Sequence, residues 1–399
     1  MGERERIPEL DGLRGIAIGT VLFFHYFFFI AAVPPGSVLS YLMVGGRMGW
    51  SGVDLFFVLS GFLIGGILLD ARDSSNFFCV FYLRRFFRII PAYLLLLTAY
   101  LLLNTLVTGH STRTLALVTQ NGLPIGPYFL FLQNFWMGAH NTLGGSTLGI
   151  TWSLAIEEQF YLTLPLLIRL VPRHRLVSTI LTGVAFAEVL RLLLYFLFPK
   201  NSTFYFVLMP CRADALLLGV FGAYAVREPA WRRWLEENHR RFWIPLVALA
   251  VGMAIMLKLL PRTGYVLMAL GGYTWIAAFF LCGLMYGVLV PESWLSHCLR
   301  WGWLRSLGLI AYGTYLFHEL ALNVFFAVFR SSTPHIVSLG DLFLTLAALA
   351  TTIVFCSLSW KYFEKPLVRI GHRWHYQFEP SESSQLAPSP VEGTDAATP

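Results

Sequence analysis

The sequence predicts an all-α integral membrane protein with about ten transmembrane helices and both termini cytoplasmic. Three observations carry that expectation. Of the 399 residues, 56% are hydrophobic and only 13% charged, about half the charged share of a soluble domain. Mean hydropathy is +0.64 over the whole length, which calls for many spans rather than one anchor. Apolar runs of roughly 17–25 residues, the length that crosses a bilayer as helix, also recur along the chain, and Lys and Arg segregate between the loops.

In chain order, residues 1–12 form a polar leader. The run near 15–33 is too long for a signal-peptide core and lacks a small-x-small cleavage site, so it is expected to be an uncleaved first span. Further spans are expected near 50–70, 86–107, 149–169, 178–198, 205–226, 242–260, 265–290, 307–329 and 339–361. The stretch 115–137 is apolar but interrupted by Gln120, Asn121, Gly122, Pro124, Gly126 and Pro127. It is read as re-entrant or interfacial, or else as an eleventh span. Ten spans place 21 of the 29 Lys and Arg on the cytoplasmic side, and an eleventh would invert every later loop and spoil that split. Residues 371–399 are expected to form a cytoplasmic tail, and from about Gln377 their Pro, Ser, Glu, Thr and Ala content reads as disordered.

Polar groups inside the apolar runs mark the candidate sites, because ionisable side chains in a bilayer face a partner or a cavity. Arg14 and His25 are eleven residues apart, so a helix puts them on one face about 16 Å apart along its axis. His25 could be a helix–helix hydrogen bonder, a haem ligand or a general base, the last because imidazole titrates near pH 6.5. Ser51 and Asp54 have capping-box spacing, and Ser60, Gly61, Gly65 and Gly66 suit close helix packing. Arg85 and Arg88 share a face, either as topological anchors or as a fork for phosphates, and Pro91 should kink their helix. Ser153, Glu157, Phe160 and Tyr161 fall on one face, and Glu158 points elsewhere. Arg212 and Asp214, two apart, cannot pair with each other and need partners on other helices, whereas Glu188 and Arg191 can neutralise one another. Tyr312, Tyr315 and His318 step along one face. The five cysteines show no CxxC spacing and read as small buried hydrophobes, with no disulfide framework and no metal site.

In order, LDGLRG with its Arg-x10-His spacing (Arg14, His25), GVDLFFVLSGFLI, RRFFRIIP, TWSLAIEEQFY, RADALLLG, YGTYLFH and the closing FEKP resemble the acyltransferase 3 family of integral membrane O-acyltransferases. The resemblance covers about residues 7–370, with 13–370 as the transmembrane acyltransferase domain and no room for the esterase-like domain fused to some relatives. It implies transfer of an acyl group, most often acetyl from acetyl-CoA, to a hydroxyl of a sugar or other exported acceptor, by a multi-pass protein of the inner (plasma) membrane. Acyl-CoA would be the donor substrate, with no tightly bound cofactor. The partners would be a carbohydrate or lipid-linked acceptor and the bilayer, not nucleic acid. On this reading His25 and Glu157 are catalytic. His25 takes the acceptor's proton or relays the acyl group, and Glu157 orients the imidazole. Arg14, Arg85 and Arg88 bind the CoA phosphates. Asp54, Ser153, Tyr161, Arg212, Asp214, Tyr315 and His318 are substrate-binding candidates. Two other classes stay open: a transporter of an anionic or lipid-linked substrate, and a structural or sensory membrane protein.

Overall fold

The computed structural model describes residues 7–32, 37, 43–110, 113–120, 122–263 and 266–378. The tail beyond 378 and the first six residues of the leader lie outside the described residues. Among the described residues, ten long helices organise the fold: α1 (Pro8–Phe23), α2 (Gly52–Ala71), α3 (Phe77–His110), α4 (Trp152–Leu170), α5 (Arg173–Leu197), α6 (Met209–Ala225), α7 (Trp243–Thr263), α8 (Tyr273–Leu289), α9 (Ala311–Arg330) and α10 (Leu339–Ser359). One falls in each segment expected to span, but they are not ten equivalent spans. Among the described residues, six stretches are long and apolar enough to cross a membrane: Gly45–Ala71, Phe77–Leu106, Arg173–Leu197, Ser202–Ala225, Met268–Leu289 and Leu339–His372. Two more count if bent pairs are taken as single spans. Pro229–Asn238 meets the start of α7 at 82°, and Gly302–Leu309 meets α9 at 74°. The helices outside this set, α1 and α4, are those loaded with polar side chains: Asp11, Arg14, Glu157, Glu158 and Arg169.

The stretch 115–137 is no span. Its glycines and prolines break it into the short helices Arg113–Thr119, Gly126–Phe129 and Gln133–Ala139. The leader is shorter than expected, because α1 already starts at Pro8, with Pro at the helix start. Glu9 is buried there, accepting from Ser296 at 3.0 Å and from Arg300 at 2.5 Å. At the other end, the first tail residues are docked rather than loose. The Trp374 carbonyl accepts from Arg84 at 2.6 Å, the His375 carbonyl accepts from the Asn76 side-chain amide at 2.9 Å, and the Gln377 carbonyl accepts from the Ser75 backbone at 2.9 Å. Pro91 does not divide α3, which runs on through it. The free cysteines are mixed: Cys211, Cys282 and Cys356 are buried, but Cys79 is exposed.

The core is built on α2 and α6. Gly61 stands against the Leu216 carbonyl and Gly219 against that of Val58, so these backbones touch where no side chain intervenes. This is the small-residue packing that membrane helices use in place of a hydrophobic driving force. Beside it lies a buried charge cluster. Arg212 pairs with Asp54, and Arg191 pairs with Asp214 at 3.0 Å and Glu188 at 2.7 Å. Thr274 donates to Asp214 at 2.5 Å. Arg212 and Asp214 thus reach different helices, as their spacing required. Asp54 is no cap: Ser51 makes no capping bond, and the carboxylate is spent on Arg212. Removing one member of such a pair strands a buried charge, at a cost of about 3–5 kcal/mol.

Candidate active site

Two cavities occupy the region where α1, α2, α3, α4 and α9 converge. The first, about 240 Å³, is basic. Arg14 of α1, Arg85 and Arg88 of α3, Ser60 of α2, Ser153, Glu157 and Tyr161 of α4, Tyr312 of α9 and His372 line it. Arg85 and Arg88 are half-buried, and neither makes an ion pair among the described residues. The Arg85 guanidinium lies 5.8 Å from the Tyr161 ring centre. Two forked guanidiniums facing a cavity suit the oxygens of a phosphate. Glu157 lines the same cavity, where the hydroxyls of Ser60 and Tyr161 contact each other. The shared face read from the sequence for Ser153, Glu157 and Tyr161 is therefore the wall of this cavity.

The second cavity, about 600 Å³, is aromatic. Phe24, Phe29, Trp50, Trp152, Phe206 and Tyr273 form much of its lining, joined by His25, Ser146, Tyr315 and Glu319. The charge cluster stands behind this wall, with the Arg212 guanidinium 3.9 Å from the Tyr273 ring centre and 5.6 Å from that of Phe206. Asp54, Arg212 and Asp214, expected to touch substrate, line neither cavity; Arg212 lies against the rings of the aromatic wall instead. Val53 and Tyr315 line both cavities, which therefore adjoin at a shared neck.

His25 is held where the helix widens into a π turn over Phe24–Phe28, a feature often found at functional sites. Its Nδ1 lies 3.1 Å from the Val21 carbonyl and 3.2 Å from Nε2 of His318. Nδ1 of His318 is 2.7 Å from the Tyr315 carbonyl. A carbonyl only accepts, so His318 carries its proton on Nδ1 and offers Nε2 as a lone pair. His25 therefore donates from Nδ1, and its own Nε2 is the bare, basic nitrogen. That atom lies 3.8 Å from the Glu319 carboxylate. Glu319 is steadied by the Asn323 amide at 3.3 Å, and Asn323 in turn donates to Ser146 at 2.8 Å.

The carboxylate beside the imidazole is thus Glu319, not Glu157, which belongs to the basic cavity. Glu319 escaped the sequence reading although its signal was available, a charged side chain in an apolar helix next to His318. The aromatic wall was not legible, since its members come from five separate segments. His25, His318 and Glu319 bring ligand atoms within 4.8 Å of one another, close enough for a metal ion. A shared ion would have to replace the hydrogen bond that fixes the His25 tautomer.

A family model described as an acyltransferase domain matches residues 7–361. The chain is 25% identical over 388 residues to the peptidoglycan O-acetyltransferase OatA of Listeria monocytogenes, covering 92% of this chain and 57% of that protein. It is 30% identical over 386 residues to a Bacillus subtilis protein named "Putative peptidoglycan O-acetyltransferase YrhL", covering 92% and 56%. The chain therefore spans a little over half the length of these relatives. No solved structure matches it. With nearly the whole described helical body inside the matched region, Arg14 and His25 included, the chain belongs to the acyltransferase 3 family.

Proposed function

We propose that this chain moves an acyl group, acetyl in the simplest case, from acyl-CoA to a hydroxyl of a cell-envelope polysaccharide such as peptidoglycan. One observation carries the reading: a phosphate-ready basic cavity and an aromatic cavity holding a bare imidazole nitrogen meet at one neck. The relatives' names supply the acetyl group and the peptidoglycan. Both termini and the basic cavity then face the cytoplasm, where acyl-CoA is made, and the aromatic cavity faces outward in the plasma membrane. Arg85 and Arg88 hold CoA phosphates, with Arg14 beside them, and the pantetheine arm carries the thioester to the neck. Flat rings such as Trp152 and Tyr273 suit the apolar faces of sugar rings. The acceptor hydroxyl gives its proton to His25 Nε2 as its oxygen attacks the thioester, and Glu319 offsets the charge that the imidazolium acquires.

The test is turnover of labelled acetyl-CoA by the protein in lipid nanodiscs, with muramyl oligosaccharide as acceptor. His25→Ala should cost about 10²–10⁴-fold in rate, the usual worth of a general base, and leave CoA binding intact. Arg88→Ala should raise the KM for acetyl-CoA more than that for the acceptor. Undiminished transfer by His25→Ala would remove the histidine from the reaction. Movement of acceptor across the bilayer without an acylated product would replace the enzyme with a transporter.

A further inference from the structure

We infer that the hydroxyls of Ser153 and Tyr315 form the oxyanion-binding pair of the transfer reaction, placed at the neck where the thioester carbonyl must sit. This rests on the reading of the chain as an acyltransferase and names the groups that stabilise its transition state. The donor occupies one cavity and the acceptor the other, so the carbon that passes between them stands at their junction. Tyr315 is one of two side chains lining both cavities, and the other, Val53, has nothing to donate.

The Tyr315 hydroxyl lies 2.6 Å from Ser153 Oγ and 2.9 Å from the Ile150 carbonyl, and Ser153 Oγ is 3.3 Å from that same carbonyl. Two protons are therefore shared among one carbonyl and the two hydroxyl oxygens. A hydroxyl proton turns to suit its acceptor, so an arriving thioester oxygen can draw a donor out of this cluster without moving the backbone. Ser153 is also the second residue of α4, a 19-residue helix whose N-terminal dipole favours negative charge. The pair is placed relative to the base as well: Tyr315 precedes His318 by one turn of α9, their ring centres 5.8 Å apart, and the His318 and His25 rings are 5.0 Å apart.

In the step itself, the acceptor oxygen bonds to the thioester carbon as its proton passes to His25 Nε2. The carbonyl oxygen takes the negative charge and accepts from Ser153 and Tyr315. When the intermediate collapses, the C–S bond breaks, and the CoA sulfur leaves with the electron pair and takes up the proton from His25.

The experiment measures acetyl transfer to muramyl oligosaccharide by wild type, Ser153→Ala, Ser153→Thr and Tyr315→Phe in nanodiscs, together with CoA binding by calorimetry. Loss of one oxyanion donor costs about 10²–10³-fold in kcat. The expected result is that loss for Ser153→Ala and Tyr315→Phe, with CoA affinity and the KM for acetyl-CoA within threefold of wild type and most activity restored in Ser153→Thr. The inference is overturned if both deletions keep kcat within threefold. It is equally overturned if turnover and CoA binding fall together, which would make the pair a scaffold of the neck. Should Tyr315→Phe fail to fold, the Ser153→Ala and Ser153→Thr comparison decides alone. A wild type that consumes no acetyl-CoA with any acceptor would instead refute the proposed function itself.

Discussion

His25 and Glu319 face each other from helices nearly three hundred residues apart in sequence, and their environments separate the roles of the two carboxylates nearby. Glu319 stands 3.8 Å from the basic nitrogen, whereas Glu157 lines the basic cavity with Arg85 and Arg88. Glu319→Gln should therefore lower kcat on the order of 10²-fold, the low end of acid–base effects, with CoA binding unchanged. Glu157→Gln should act mainly on the KM for the donor. Steady-state kinetics on both variants check this, and an exchange of the two phenotypes would return Glu157 to the imidazole. The sequence made His25, Arg14, Arg85 and Arg88 visible because each is a costly group in or beside an apolar run. It also predicted that Arg212 and Asp214 would find separate partners. It could not say which acid meets which base, since that pairing is decided by helix packing rather than by spacing along one helix.

Among the elements, the contact of α2 with α6 sets the frame. A methyl group on Gly61 would run into the Leu216 carbonyl, and one on Gly219 into that of Val58; neither obstacle is a flexible side chain that could yield. Gly61→Ala should destabilise the fold by about 1–3 kcal/mol, the range for overpacking, read from the unfolding midpoint in mixed detergent micelles. Gly302→Ala, where nothing lies within 4 Å, serves as the neutral control. The SGFLIGG pattern announced this contact, because small residues in an apolar helix let another backbone approach closely. The π turn at Phe24–Phe28 had no such announcement, as an inserted residue per turn leaves hydrophobicity unchanged. Nor did the docking of Trp374–Gln377 on Asn76 and Arg84, which is made mostly by tail carbonyls that every residue possesses.

For the molecule as a whole, the arginine distribution argues for one orientation, and that orientation is open to a direct check. In a background with Cys79 and Cys298 replaced by serine, Arg373→Cys should react with an impermeant maleimide only after the cells are opened. Lys200→Cys, close to the Ser202 and Thr203 wall of the aromatic cavity, should react in intact cells. The reverse pattern would invert the protein in its membrane. Charge segregation and run length made the helical body legible, while the two cavities and their shared neck exist only once five helices have met. That neck carries a consequence for cellular economy. Under the proposed function, an ester bond would form on the aromatic side while the nucleotide, with its phosphate charges, stays in the basic cavity. The cell would then decorate its exterior with the free energy stored in an internal thioester, drawing on no ion gradient and exporting no carrier.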